Sequence, residues 1–186
     1  MTVSIIIPVL GQEHYTRQII ADIPKKVKGE YEIIVLDGPA GVNRKWNEWV
    51  KQATGEYIWI INNDIVLTEW LDLQLIELLQ EFNIAYPWTT SWNNKWALPV
   101  YSKYDMMAGW CFMMRKDAWV PVDERLDIWY WDNWIFEKMN RLVWFDGLCH
   151  HFESMSINAP ERREEIQKRI DKDKQTWEVI KKENNW

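Results

Sequence analysis

The sequence has no Gly-x-Gly-x-x-Gly loop and no Gly-x-x-x-x-Gly-Lys-Ser/Thr loop, so neither a dinucleotide fingerprint nor a P-loop is present to cradle a phosphate. Cysteine is scarce: Cys111 and Cys149 stand far apart in no CxxC spacing, which reads as a reduced, cytoplasmic chain. No apolar run approaches the ~18–20 residues that cross a bilayer, and the N-terminus lacks the layout of a signal peptide. No basic block occurs either. With 22 Lys and Arg against 28 Asp and Glu the formal net charge is −6, which argues against nucleic acid as a partner. Seven glycines and seven prolines exclude a low-complexity or collagen-like chain. The excess is in tryptophan, 15 in 186 residues, a large side chain that often keeps one edge at water or at a ligand.

The length suits one domain with its own hydrophobic core, and no repeat or linker divides it, so a single domain over 1–186 is expected. Val3 to Leu10 is a short apolar run rich in β-branched residues, the mark of a strand buried on both faces. A helix follows from His14 to Ile23, closed by Pro24, and a second buried strand spans about Tyr31 to Leu36 and ends at Asp37-Gly38-Pro39. Asn43 to Ala53 reads as a helix with Gly55 just past its end, and Tyr57 to Ile61 as a third strand running into Asn62-Asn63-Asp64. Thr68 is expected to cap a helix whose apolar stripe is Trp70, Leu71, Leu75, Leu78 and Leu79. Strands alternating with helices predict βαβ units and a parallel sheet, an α/β fold.

After about Asn83 the pattern changes. Residues 86–105 read as a long irregular loop, the kind that serves function. A strand from about Met106 to Arg115 carries Gly109 in its interior, where close approach of a backbone or ligand is the usual reason for glycine. Trp131 to Arg141 reads as a helix, Leu142 to Phe145 as a short strand, and His150-His151 as a turn beyond it. A charged helix runs from Pro160 to about Glu183, with Asn158 and Pro160 as start signals and Ile166, Ile170, Trp177 and Ile180 along one side; its charges read as a solvated face.

In an open α/β sheet a ligand lies beyond the carboxyl ends of the strands, where Asp37 and Asn62-Asn63-Asp64 fall. Without a glycine-rich cradle, a phosphate-bearing ligand calls for a metal. Mg²⁺-type ions take one or two carboxylates plus substrate phosphates, and an imidazole in the shell favours Mn²⁺. Four stretches in order, Ser4-Ile-Ile-Ile-Pro-Val9, Val35-Leu-Asp37, Gly41-Val-Asn-Arg-Lys-Trp-Asn47 and Ala53-Thr-Gly-Glu-Tyr-Ile-Trp-Ile-Ile-Asn-Asn-Asp64, are followed by Trp70-Leu71. Gly109-Trp-Cys-Phe-Met-Met-Arg115, Trp131-Asp132-Asn133 and His150-His151 with Ser154 and Ser156 complete the set. Over residues 3–156 this resembles the family 2 glycosyltransferases of GT-A fold, in a short, compact form.

The resemblance implies a Rossmann-type nucleotide-binding domain, its mostly parallel central sheet flanked by helices. The nucleotide-donor half would span 1–82, the acceptor and catalytic half 83–156, and the C-terminal helix 157–186. It implies an inverting, metal-dependent transfer from a nucleoside diphosphate sugar, with UDP as the nucleotide, to a saccharide or other hydroxyl acceptor. Asp132 would be the base, Asp64 the central ligand of Mn²⁺ or Mg²⁺, and His150 or His151 a second ligand. Asp37 and Asn43 would contact the nucleoside and Pro8 and Val9 line its pocket, with Lys45, Asn63, Gly109 and Trp110 also at the donor. Trp110, Trp129, Trp131, Trp134 and the tryptophans of the 88–96 stretch are candidates to touch sugar. Departures from the family are Leu10-Gly11, Trp46 and an acidic helix start reduced to one Asp. Two alternatives stay open: a non-catalytic carbohydrate-binding protein derived from this fold, and a sugar-phosphate nucleotidylyltransferase.

Overall fold

The computed structural model describes residues 1–9, 11–37, 42–91, 109–139, 142–151, 160 and 162–186, with side chains except at 37, 42, 44, 88–91 and 142–151. Val3, Ile5, Ile6 and Ile7 are fully buried in β1 (Thr2–Val9), and every residue of β3 (Tyr57–Ile61) is buried, as runs with no polar face require. Each such side chain contributes roughly 1.5–3 kcal/mol by leaving water. The other strands are β2 (Glu30–Asp37), β4 (Ile65–Val66), β5 (Ile84–Ser91), β6 (Cys111–Arg115) and β7 (Leu142–His151). The helices are α1 (Glu13–Lys26), α2 (Val42–Gln52), α3 (Leu71–Leu78), α4 (Trp131–Lys138) and α5 (Arg163–Asn184).

Among the described residues these strands form one seven-stranded sheet in the order β2-β1-β3-β6-β5-β7-β4. β1, β2 and β3 pair in parallel, as do β5 and β7, while β6 runs against both β3 and β5 and β4 against β7. The sheet is therefore mixed but mostly parallel. Alternation along the strands splits the core into two layers. Ile5, Ile7, Trp59 and Ile61 pack with Ile19 and Ile23 of α1 and Leu71 and Leu75 of α3. Ile6, Ile58, Ile60 and Phe112 pack on the other side with Trp46 and Val50 of α2 and Ile135 and Phe136 of α4. A satellite cluster of Leu126, Trp177 and Ile180 joins α5 to the segment that leads into α4. No helix among the described residues is long and apolar enough to cross a membrane.

Several elements differ from the sequence reading. Pro24 does not close α1: the helix continues to Lys26, because a proline in the last turn removes only one hydrogen bond and the Val27 N–H still reaches Ile23 O at 2.9 Å. Thr68 does not cap α3. The capping position is Trp70, in the left-handed region at φ 66° and 54 % exposed rather than on the apolar stripe. Gly55 is no helix stop, since α2 ends at Gln52; an added Cβ there would lie 2.7 Å from Ser4 N and Thr2 O of β1. Residues 86–91 are strand, not loop, because parallel pairing with β7 supplies the backbone bonds that their Pro-Trp-Thr-Thr-Ser sequence does not advertise. Likewise β7 extends to His151 because β4 pairs with its end, so the two histidines close a strand rather than occupy a turn. β6 begins only at Cys111, and α4 ends at Lys138. Leu10, residues 92–108 with Trp92 and Trp96, Arg141, Ser154, Ser156 and Asn158 lie outside the described residues.

Candidate active site

The carboxyl ends of the central strands meet at one edge. In register, Pro8 faces Leu36 and Val9 faces Asp37, while Ile6 faces Ile60, so Asn62-Asn63-Asp64 leaves β3 beside the end of β1. β6 starts at the same edge, with Cys111 opposite Ile61, and the Asn62 N–H donates to Trp110 O at 2.8 Å. Trp110 is part-buried against both core layers. Asn63 stands at this edge, where the donor is expected, and has a structural task there. Its buried amide donates to Thr16 Oγ1 at 3.0 Å and to Gly11 O and Gln12 O at 3.3 and 3.4 Å. It thereby straps the turn between β1 and α1, where Gly11 and Gln12 both have positive φ.

Asp64 is 3 % exposed. The residue after it opens β4, whose register sets Ile65 against His151 and Val66 against His150. Asp64 and the adjacent pair His150-His151, distant in sequence, thus arrive at one strand junction. A carboxylate oxygen with an imidazole nitrogen is a donor set that suits Mn²⁺. No group of three or more His, Cys, Asp or Glu side chains stands ready for a metal among the described residues, whose side chains do not include those of 150 and 151. The side chain of Asp37 also lies outside them.

Asp132 sits in the first turn of α4, and its Oδ1 accepts the Asn133 N–H at 2.9 Å. Its carboxyl lies directly over Gly109: a Cβ on that glycine would stand 2.2 Å from Oδ2 and 2.7 Å from Cγ. The close approach expected at Gly109 is therefore real, and what approaches is Asp132. Burial pushes the Asp132 carboxyl up to about 6, against the backbone N–H groups of Asn133 and of Asp132 itself, which favour the anion. Because Gly109-Trp110 leads into β6 at the end of β3, this carboxyl belongs to the same edge as Asp64.

The tryptophans divide. Trp131 is core: its ring packs 4.7 Å from Trp46 and 5.6 Å from Phe112. Trp134 donates Nε1–H to Pro121 O at 2.9 Å and meets Trp186 edge-on at 5.5 Å, so packing accounts for it too. Trp129 stays 36 % exposed beside the start of α4. Asn43, expected at the nucleoside, is fully buried at the start of α2. Its N–H donates to Asp127 O at 3.0 Å and its Nδ2 to Trp129 O at 3.1 Å, while Oδ1 is buried with no hydrogen-bond partner among the described residues. It fastens α2 to the segment before Asp132. Lys45, two residues on, lies over the Trp49 ring at 5.8 Å.

Sequence reasoning missed three carboxylates. Asp173 on α5 is 0 % exposed and accepts the N–H groups of Asp127, Ile128 and Trp129 at 2.8, 2.7 and 2.8 Å. The charged face of α5 is therefore not wholly solvated. Asp72, equally buried, accepts Lys28 N–H and Gly29 N–H at 2.9 and 2.8 Å and fixes the turn between α1 and β2. Glu32 accepts Ser4 Oγ–H and Thr54 N–H at 2.5 Å; burial raises its pKa, but these bonds outweigh that and hold it below the usual range.

No family model and no curated protein matches the chain. Solved structures do. TarS of S. aureus, residues 1–349, superposes with a TM-score of 0.66 at 13 % identity, covering 93 % of this chain and 70 % of that one. The same protein in complex with UDP-GlcNAc gives 0.63 at 12 % identity, covering 86 % and 61 %. The mannosyltransferase PcManGT of Pyrobaculum calidifontis, in complex with GDP-Man and Mn²⁺, gives 0.58 at 11 % identity, covering 80 % and 56 %. The chain thus spans between about half and 70 % of these relatives' lengths. What the likeness establishes is the fold: an α/β, Rossmann-like sheet of the GT-A type found in glycosyltransferases.

Proposed function

We propose that the chain transfers a sugar from a nucleoside diphosphate donor to a hydroxyl acceptor, inverting the anomeric centre. The observation that carries this reading is the Asp132 carboxyl, half-buried and set against Gly109 at the carboxyl edge of the sheet, with its pKa raised to about 6. Such a group is anionic at neutral pH yet basic enough to take a proton, the property required of a general base. In the proposed step the acceptor oxygen gives its proton to Asp132 and bonds to the anomeric carbon from one face. The bond from that carbon to the diphosphate oxygen breaks on the other face, and the nucleoside diphosphate leaves. Asp64 with His150 or His151 would hold a divalent ion, Mn²⁺ first, which when bound stabilises the negative charge on the departing diphosphate. Asp37, Pro8 and Val9 would form the nucleoside pocket, UDP being the first candidate, with Lys45 and the Gly109-Trp110 turn towards the donor. The UDP-GlcNAc and GDP-Man complexes of structures with this fold support a nucleotide-sugar donor.

The test is to incubate the chain with UDP- and GDP-sugars, Mn²⁺ and simple saccharide acceptors, following release of nucleoside diphosphate and the anomeric proton of the product by NMR. Release that depends on acceptor and is lost in Asp132→Asn supports the reading. Absence of release across the donors, with saccharide binding intact, would favour the non-catalytic carbohydrate-binding alternative. A product that keeps the donor's anomeric configuration would overturn inversion.

A further inference from the structure

α5 presents a row of side chains, each four residues from the next, to the segment that precedes Asp132. Arg169 grips the Asp127 carboxylate with Nε at 2.7 Å and Nη2 at 3.0 Å. Asp173 takes the three successive N–H groups of Asp127, Ile128 and Trp129, a load that two oxygens of a fully buried carboxylate meet without help from water. Trp177 lies parallel to Tyr130, with ring centroids 5.5 Å apart and an interplanar angle of 9°. Every residue from 127 to 130 therefore has a partner on this helix. Tyr130 is where the chain turns, at φ 62°, a left-handed conformation that a non-glycine residue holds only when its surroundings impose it. Two residues later comes Asp132, over Gly109.

We propose that α5 is a splint for the base, with Asp173 as its central positioning residue: it fixes 127–129, so that the turn at Tyr130 delivers the Asp132 carboxyl to its place against Gly109. This rests on the reading of Asp132 as the base. The consequence is specific. Weakening Asp173 should leave the donor held as before and should slow the chemical step.

The experiment compares the whole chain with Asp173→Asn, Asp132→Asn and the double variant, and with Arg169→Met as a milder cut in the same splint should Asp173→Asn be too unstable to purify. With Mn²⁺ and a donor that the wild type turns over, Asp173→Asn is expected to lower kcat about 10- to 100-fold with donor KM within about twofold, and Arg169→Met to do the same to a smaller extent. In the Asp132→Asn background the same change should cost nothing further, because its effect acts through Asp132. Unchanged kcat, or losses that multiply in the double variant, overturns the proposal. A second arm needs no turnover. The Asn133 N–H is bonded to Asp132 Oδ1, so its hydrogen exchange, read by NMR, reports where that carboxyl sits. Exchange at Asn133 should quicken about tenfold or more in Asp173→Asn; unchanged exchange there, with 127–129 freed, overturns the positioning role. A wild type that turns over no donor sinks the glycosyltransferase reading, and the exchange arm still decides this one.

Discussion

At the scale of single residues, Asp132, the proposed base, holds its raised pKa at the expense of stability. The folded state holds its proton more tightly than the unfolded chain, whose aspartates titrate near 4. Its contribution to stability is therefore greatest below about pH 4, falls as the pH rises towards about 6, and is level above that. Asp132→Asn should accordingly melt higher than wild type at pH 7.5 and nearly together with it at pH 4, as calorimetry across pH will show. The same variant should lose roughly 10²–10⁴-fold in turnover with nucleotide affinity retained, and the wild-type kcat/KM should decline below about pH 6. Gly109→Ala tests the contact from the other side. A Cβ 2.2 Å from Asp132 Oδ2 forces that carboxyl to move, at a cost of about 1–3 kcal/mol in denaturant titration and a fall in turnover near that of Asp132→Asn. Gly109 was legible in the sequence as a point of close approach, because glycine amid apolar residues has few other reasons to be there. Its partner was not legible, since the two residues meet only through tertiary packing. Asp173 leaves a trace in the sequence: it falls at helical spacing within the stripe Ile166, Ile170, Trp177 and Ile180, where a solvated charge has no place.

At the scale of elements, the strands buried on both faces were the readable ones, since β1 and β3 have no polar side to blur the pattern. β5 was read as loop and β7 too short because each draws its order from the other, and a parallel partner is invisible in the local sequence. The pairing of β7 with β4 also bears on the histidines. Successive strand positions lie on opposite faces of a sheet, and Ile65, the register partner of His151, is buried in the layer that holds α1 and α3. Positions 150 and 151 are successive in β7, so one site on one face of the sheet draws on one of the two. Mn²⁺ titrations of His150→Ala and His151→Ala should therefore differ, with a loss of affinity of about tenfold or more in one variant and little in the other. Equal losses would count against ligation by one ring of the pair.

At the scale of the whole molecule, the site edge collects its residues from both halves of the chain. Ligands that bind only the assembled edge stabilise the fold by mass action, about 2.7 kcal/mol at a hundredfold excess over Kd. For a chain of this size Mn²⁺ with UDP should raise the melting temperature by about 5–10 °C, and chelation should reverse most of the gain. The sheet order also sets a sequence of events in time. β1, β2 and β3 pair through short crossovers, whereas β6 must insert between β3 and β5, and β4 waits for the far end of β7. Pairings between distant segments are the slow ones in folding. During refolding from denaturant the bulk of the circular dichroism signal should return first and Mn²⁺-dependent nucleotide binding last. A chain caught in that interval would look folded and bind nothing, so competence here is a property of the last strands to arrive.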